Sequence, residues 1–279
     1  MKKERIIRYI FNSLRYFILL IGSVIILFPL VWMISASLKP LSEVLTIPVK
    51  WIPSEFHFEN YITPFIERPF LKYFFNSVFV ATCVTIPNLF FSALAGYGFA
   101  KFNFFGKNIF FLYILSTFMI PIQVIMVPLF LIIRNFGWIN SYQGLIVPLM
   151  LNAMGIFLMR QYIISSIPNE YIDAARIDGC NEFMIFLRII VPLCKPILTA
   201  LGLLTFMASW DEFLWPLLVA TEDKYRTLPL GIALYQNSYR TSYNQLMAVS
   251  FLAMIPLLIF FIIAQKRFIE SIAITGLKQ

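Results

Sequence analysis

The sequence predicts an all-α membrane protein, a polytopic helical bundle with six transmembrane helices. Two observations carry this expectation. The 279-residue chain is 60% hydrophobic and only 13% charged, with mean hydropathy +0.81, whereas a soluble domain carries about 25% charged residues. Its apolar residues also come in long unbroken runs. Residues 16–38, 73–100, 108–133, 135–159 and 241–265 contain no Lys, Arg, Asp or Glu, and 196–221 is interrupted only by Asp211 and Glu212. Each run is long enough to span, since about 20 residues cross the hydrocarbon core. The runs are continuous rather than alternating, which argues against a transmembrane β-barrel.

The elements follow in order. Residues 1–15 form a basic arm, and 16–38 form the first span. Ser35-Ala36-Ser37 resembles a cleavage site, but Tyr16 to Ile34 is longer than the 7–15 apolar residues of a signal peptide. The run is therefore read as a retained helix. The outer segment 39–72 is rich in Pro and aromatics, among them Pro40, Pro48, Trp51, Pro53, Tyr61, Pro64 and Pro69. It suits short helices or turns at the interface, where Trp and Tyr prefer to sit. Spans two to four fall at about 73–100, 109–133 and 142–160, a charged loop at 161–195, span five at 196–220, an outer loop at 221–244, span six at 245–265 and a tail at 266–279. One compact membrane domain, 70–265, thus follows one anchoring helix. Pro87, Asn88, Pro121, Gln123, Pro128, Pro148, Asn152 and Pro256 lie within spans. Such residues are tolerated against neighbouring helices or a wet cavity, and they fit a pathway that bends and opens.

Charge sets the orientation. With six spans both termini share one side. That side carries 14 of the 22 Lys and Arg and 6 of the 14 acids, so the net charge of +8 resides there entirely. The positive-inside rule makes it the cytoplasm. The basic balance therefore reports multi-pass topology in a cell membrane and not nucleic-acid binding. Cys83, Cys180 and Cys194 are an odd set without metal-ligand spacing, and no structural disulfide is expected. His57, the one histidine, has no His or Cys beside it in sequence and reads as a surface residue. No nucleotide-binding loop, Ser-His-Asp set or metal cluster is found. The chain is read as a non-enzyme with no catalytic residue, no metal and no directly bound cofactor.

The most informative stretch is 169–196, NEYIDAARIDGCNEFMIFLRIIVPLCKP. Pro168 suits a first helical turn, and Glu170 and Asp173 complement a helix N-terminus. Gly179 suits a left-handed stop. Ala174 and Ala175 leave room for another surface, and a second short helix is expected from about Glu182 to Ile190. A plainer alternative is an amphipathic helix resting on headgroups. The spacing Asp173-Ala174-Ala175, Gly179, Ile189, Pro192 resembles the "EAA loop" of ABC importer permeases, with Asp for Glu and Val191 for Leu. A fixed spacing over about twenty positions is more specific than a lone short motif. In that family the loop docks the membrane subunit on a cytosolic ATPase. The resemblance therefore implies ATPase docking by Glu170, Asp173, Ala174, Ala175, Gly179, Ile189 and Pro192.

Further phrases narrow the resemblance. PIQVIMVPLF (121–130), SWDEFLWPL (209–217), TLPLG (227–231) and QKRF (265–268) are similar to sugar-importer permeases of the maltose type. The tail FIESIAITGLKQ departs from that family's usual ending, with Ser271 and Thr275 where Gly is frequent. The resemblance implies the type I ABC importer permease fold and a pathway for a sugar or oligosaccharide. It also implies a second related permease, two ATPase copies that use the ATP, and an extracytoplasmic solute-binding protein. A permease for a non-sugar solute would keep the docking loop but not PIQVIMVPLF and SWDEFLWPL. A secondary transporter would normally show repeated halves and ionisable residues in mid-membrane. Only Asp211 and Glu212 are ionisable within a span, about 22 Å from its cytosolic start at 1.5 Å per residue. They are candidate pathway residues, with Trp210 and Trp215 as possible sugar-stacking rings. Reaching the headgroups, or interfacial anchoring for the Trp pair, is the competing role.

Overall fold

The structure, a computed structural model, describes residues 2–236 and 242–276, with side chains for 11–236, 242–263 and 265. The tail positions Ser271 and Thr275 and the arm's basic side chains Lys2 to Arg8 lie outside the described side chains. In chain order the helices are α1 (Lys2–Ser37), α2 (Leu41–Val44), α3 (Thr63–Glu67), α4 (Phe70–Lys101), α5 (Lys107–Phe118), α6 (Ile122–Asn135), α7 (Tyr142–Ile146) and α8 (Ala153–Ser166). They continue with α9 (Asn169–Ile177), α10 (Glu182–Ile185), α11 (Val191–Leu193), α12 (Lys195–Trp210), α13 (Leu214–Val219), α14 (Leu228–Gln236) and α15 (Tyr243–Gly276).

Among the described residues, three helices are long and apolar enough to cross a membrane alone: Phe11–Ser37 of α1, α4, and Tyr243–Ile263 of α15. The other three expected spans are bent pairs. The predicted single span 109–133 is α5 and α6, turned 97° at residues 119–121. Pro121 explains the turn: its ring disfavours helix at the preceding residue, and it is itself extended at φ −59°, ψ 136°. The span expected at 142–160 is α7 with its following 3-10 turn and α8, bent 42°. There the Asn152 side chain accepts the Met154 N–H at 2.7 Å and restarts the helix. The six-span reading holds when each bent pair counts as one span.

Span five departs most from expectation. The second short helix expected in the loop 161–195 does not stop before Pro192. It runs through a π turn, Phe186–Ile190, into α11, and then bends 79° into α12. The Val191 N–H reaches back five residues to Phe186 O, which accommodates a proline next in line without an N–H. At its other end α12 stops at Trp210, and α13 restarts at Leu214. The outer loop expected at 221–244 is also shorter, because α14 occupies 228–236.

The chain divides into two compact units. One comprises Met1–Arg68 and Ile232–Met254. Its polar centre is Asn60, which donates to Ser37 O at 2.9 Å and Lys39 O at 3.0 Å and accepts from Asn244 at 3.0 Å. Lys39 is fully buried, 4.5 Å over the Trp32 ring, and its ammonium donates to Lys50 O. Burial lowers its pKa. Hydrogen bonds from Ser54 and Lys50 hold the Glu43 carboxyl down to about 2. That contribution is complete above the usual carboxylate range and is lost as pH falls toward about 2.

The second unit comprises Pro69–Gly231 and Ile255–Gln279. Its core is α4 against α8 and α12. Gly96 lets α4 and α8 approach closely: a Cβ there would stand 2.6 Å from Met159 Cβ and 2.9 Å from the Arg160 backbone N. Small residues at helix contacts are the usual means of close packing in membranes. The loop at 221–227 is tied to the same helix, with Asn76 of α4 donating to Lys224 O and Arg226 O at 3.0 and 2.8 Å.

Candidate functional site

The loop 161–195 folds around α9. Pro168 precedes the helix rather than joining it, extended at φ −61°, ψ 150°. Glu170 lies in the first turn. The helix ends in a Schellman motif: Cys180 N–H bonds Ala175 O at 2.9 Å and Gly179 N–H bonds Arg176 O at 3.0 Å. Gly179 supplies the required left-handed residue, at φ +81°. Asn181 then starts α10 by accepting the Met184 N–H at 2.8 Å.

This helix has two faces. Ile172 and Ala175 are 2% and 6% exposed and join a core cluster with Tyr97, Met159, Ile163 and Ile185. Ala175 therefore gives its small size to the protein's own interior, which corrects the expectation that it leaves room for a partner. Ile189 is half-buried against the same cluster. Glu170, Asp173, Ala174, Gly179 and Pro192 are exposed. So are Tyr171 at 57% and Ile177 at 87%, neither singled out in the sequence.

Polar links hold α9 to the bundle. Arg176 donates to Asp173 at 3.1 Å and to Glu182 at 2.7 Å, and the Tyr97 hydroxyl of α4 donates to Glu182 at 2.8 Å. Lys101, at the end of α4, donates to Ile167 O and to the Asn169 side chain, each at 2.6 Å. Sequence reasoning missed this chain of contacts. The Asp173–Arg176 pair could have been found from its i,i+3 spacing. The links to Tyr97 and Lys101 come from residues at least 66 positions away.

The candidate pathway residues separate in space. Trp210 and Trp215 are 2% and 1% exposed. Trp210 packs on Phe74 and Phe206, and the Trp215 indole N–H donates to Gly144 O at 2.9 Å. Neither presents a ring face to a solute, so the stacking expectation is corrected to a packing role for both. Asp211 and Glu212 do not lie on a continuous helix, as expected, but in the break between α12 and α13. Asp211 is exposed. Glu212 accepts the Trp215 backbone N–H at 3.1 Å and lines a cavity of about 300 Å³ with Asn152, Thr205 and Ser209.

The lining is mostly apolar, with Asn152, Thr205, Ser209 and Glu212 as its polar groups, and Thr205 connects it to the buried Asn88 behind. The Thr205 hydroxyl donates to Asn88 Oδ1 at 3.5 Å. Asn88 is fully buried, and its amide nitrogen has no hydrogen-bond partner among the described residues; nor do the Ser209 and Thr85 hydroxyls. Buried polar groups are costly when unpaired. In a membrane bundle they mark functional positions or wet cavities. Asn152 was already among the polar span residues that fit a bending pathway, whereas Thr205 and Ser209 escaped sequence reasoning because single polar residues in a span usually serve helix packing.

Comparison with known proteins places these features in context. Residues 88–273 match the family described as "Binding-protein-dependent transport system inner membrane component". The chain is 38% identical over 259 residues to the arabinooligosaccharides transport system permease protein AraQ of Bacillus subtilis (strain 168), covering 92% of both chains. It is 30% identical over 277 residues to the sn-glycerol-3-phosphate transport system permease protein UgpE of Brucella abortus (strain 2308), covering 96% of this chain and 98% of that one. Its structure superposes with a TM-score of 0.81 and 25% identity on a chain of a bacterial ABC transporter involved in the import of the acidic polysaccharide alginate, covering 93% of this chain and 96% of that one.

Proposed function

Because this chain belongs to the family of inner-membrane components of binding-protein-dependent transport systems, we propose that it is one of two related permease subunits of a sugar importer. Its partners are two cytosolic ATPase subunits, which hydrolyse the ATP, and an extracytoplasmic solute-binding protein. Both termini face the cytoplasm, as the distribution of basic residues supports. The observation that carries the reading is the two-sided α9: Ile172 and Ala175 are locked in the core while Tyr171 and Ile177 stand bare. A short helix held this firmly can transmit displacement as a rigid lever. Glu170, Asp173 and Ala174 belong to its ATPase-facing side. Gly179, Ile189 and Pro192 shape and anchor the loop behind it. ATP shifts the bundle between inward-open and outward-open states only through unequal affinity for the two.

The cavity behind Glu212 supports a hydroxyl-rich, uncharged solute. Carboxylate and amide groups suit sugar hydroxyls, and a carboxylate on the wall disfavours a phosphate ester. The test is uptake by the assembled transporter in liposomes, with labelled arabinooligosaccharide and glycerol 3-phosphate compared. Glu212→Gln keeps an oxygen for the Trp215 N–H, so assembly should survive. Loss of one charged hydrogen bond, about 1.5–3 kcal/mol, should weaken sugar uptake roughly tenfold or more. Asp211→Asn, outside the cavity lining, should change uptake less. Unchanged uptake in Glu212→Gln, or transport of glycerol 3-phosphate in preference to sugar, would refute the pathway assignment.

A further inference from the structure

A second polar recess lies where the turn after α4 enters α5. It is about 560 Å³ and is lined by Asn103, Gly106, Lys107, Asn108 and Arg160. Two cations from different helices share it. Lys107 opens α5 and donates to Phe102 O at 2.7 Å. Arg160, on α8, donates through Nε to Phe99 O at 3.3 Å, and its guanidinium carbon lies 4.1 Å from the Phe111 ring centroid. These contacts fix both side chains without neutralising either one. Among the described residues no carboxylate forms an ion pair with Lys107 or Arg160, and each lies within the other's field. The N-terminus of α5 carries no side-chain cap, so its dipole adds to the positive potential.

The surroundings select among anions. The rim is apolar: Phe105 is fully exposed, and α5 leads away from the recess with Ile109, Leu112 and Tyr113 at 74%, 67% and 71% exposure. A free anion would gain nothing from that face. A lipid would place its acyl chains along it and its phosphate between the two cations. Aromatic and basic residues at one depth are the usual signature of the membrane interface, and basic recesses between transmembrane helices hold anionic headgroups. We infer that the recess formed by Lys107, Arg160 and Asn108 binds the phosphate headgroup of an anionic phospholipid of the cytoplasmic leaflet. This rests on the membrane orientation proposed above for its leaflet, but not on the transported solute.

Native mass spectrometry of the delipidated transporter with added phosphatidylglycerol or phosphatidylcholine tests it. The intact complex should retain phosphatidylglycerol at least tenfold better, and 10 mM inorganic phosphate should not displace it. Lys107→Gln, which removes one of the two cations, should lower that retention at least fivefold. Arg160→Lys keeps the charge and should retain most of it, and Lys224→Gln, in the outer loop, should match the parent. Equal retention of the two lipids, an unaffected Lys107→Gln complex, or displacement by inorganic phosphate would overturn the assignment. So would loss of ATPase subunits from Lys107→Gln with lipid retention intact, since the recess would then serve a protein contact. Uptake is not the readout, so selective lipid retention by a complex that moves no sugar would end the transport reading and leave this one standing.

Discussion

Gly179→Val is expected to leave the chain inserted and abundant but to reduce ATP-driven uptake at least tenfold. No atom lies within 4 Å of a Cβ built at this position, so crowding is not the cause. The backbone is: φ is +81°, where a non-glycine residue costs about 1–2 kcal/mol and a β-branched one more. The chain can relieve that strain only by breaking the Schellman bonds from Gly179 and Cys180. Doing so redirects the path into α10 and separates Arg176 from Glu182, now paired at 2.7 Å. The lever then loses its rigid attachment. Gly179→Asn, which tolerates the left-handed region, should behave nearly as the parent. Membrane abundance, ATPase copurification and uptake measured together check the expectation. Full uptake by Gly179→Val would remove the loop geometry from the coupling mechanism.

Gly96→Val should fail earlier, at folding. Its Cβ would meet the Met159 Cβ at 2.6 Å and the Arg160 backbone at 2.9 Å. Neither is a flexible chain end, so α4 and α8 must separate. Overpacking costs typically 1–3 kcal/mol, and here it would also open the core around Ile163 and Phe186 that seats α9. The expected result is a clear fall in melting temperature or loss of the complex during purification. Gly98→Val is the control, with nothing within 4 Å of its Cβ. It should retain assembly with only the small change due to helix propensity. If the two variants purify alike, the close approach at Gly96 is not what holds the helices.

The contrast between loop and spans shows what a sequence can display. The geometry of the loop 161–195 was legible because its constraints are local. A helix start, a left-handed stop and an acidic first turn each depend on residues within a few positions. Its inner face was not, because Ala174 and Ala175 are identical in sequence and only packing decides that Ala175 turns inward. The spans were legible as apolar runs. Their bends were not, because Pro121 and Pro192 sit beside turns while Pro29, Pro87, Pro128 and Pro256 sit inside helices. Neighbouring contacts choose between these outcomes. Trp210 and Trp215 misled for a related reason. Their depth was readable from position, but the partners that bury them, Phe74 and Gly144, lie 136 and 71 residues away.

The central claim is that the outer face of α9 meets the ATPase. Single cysteines at 172, 174 and 177, placed in a chain lacking Cys83, Cys180 and Cys194, test it by cross-linking within the purified transporter. Ile177→Cys and Ala174→Cys, on the exposed face, should each join the chain to an ATPase subunit through a short bifunctional reagent. Ile172→Cys, at a position 2% exposed, should not. Cross-linking to the ATPase at 172 but not at 174 or 177, or at none of the three in an intact complex, would contradict the account.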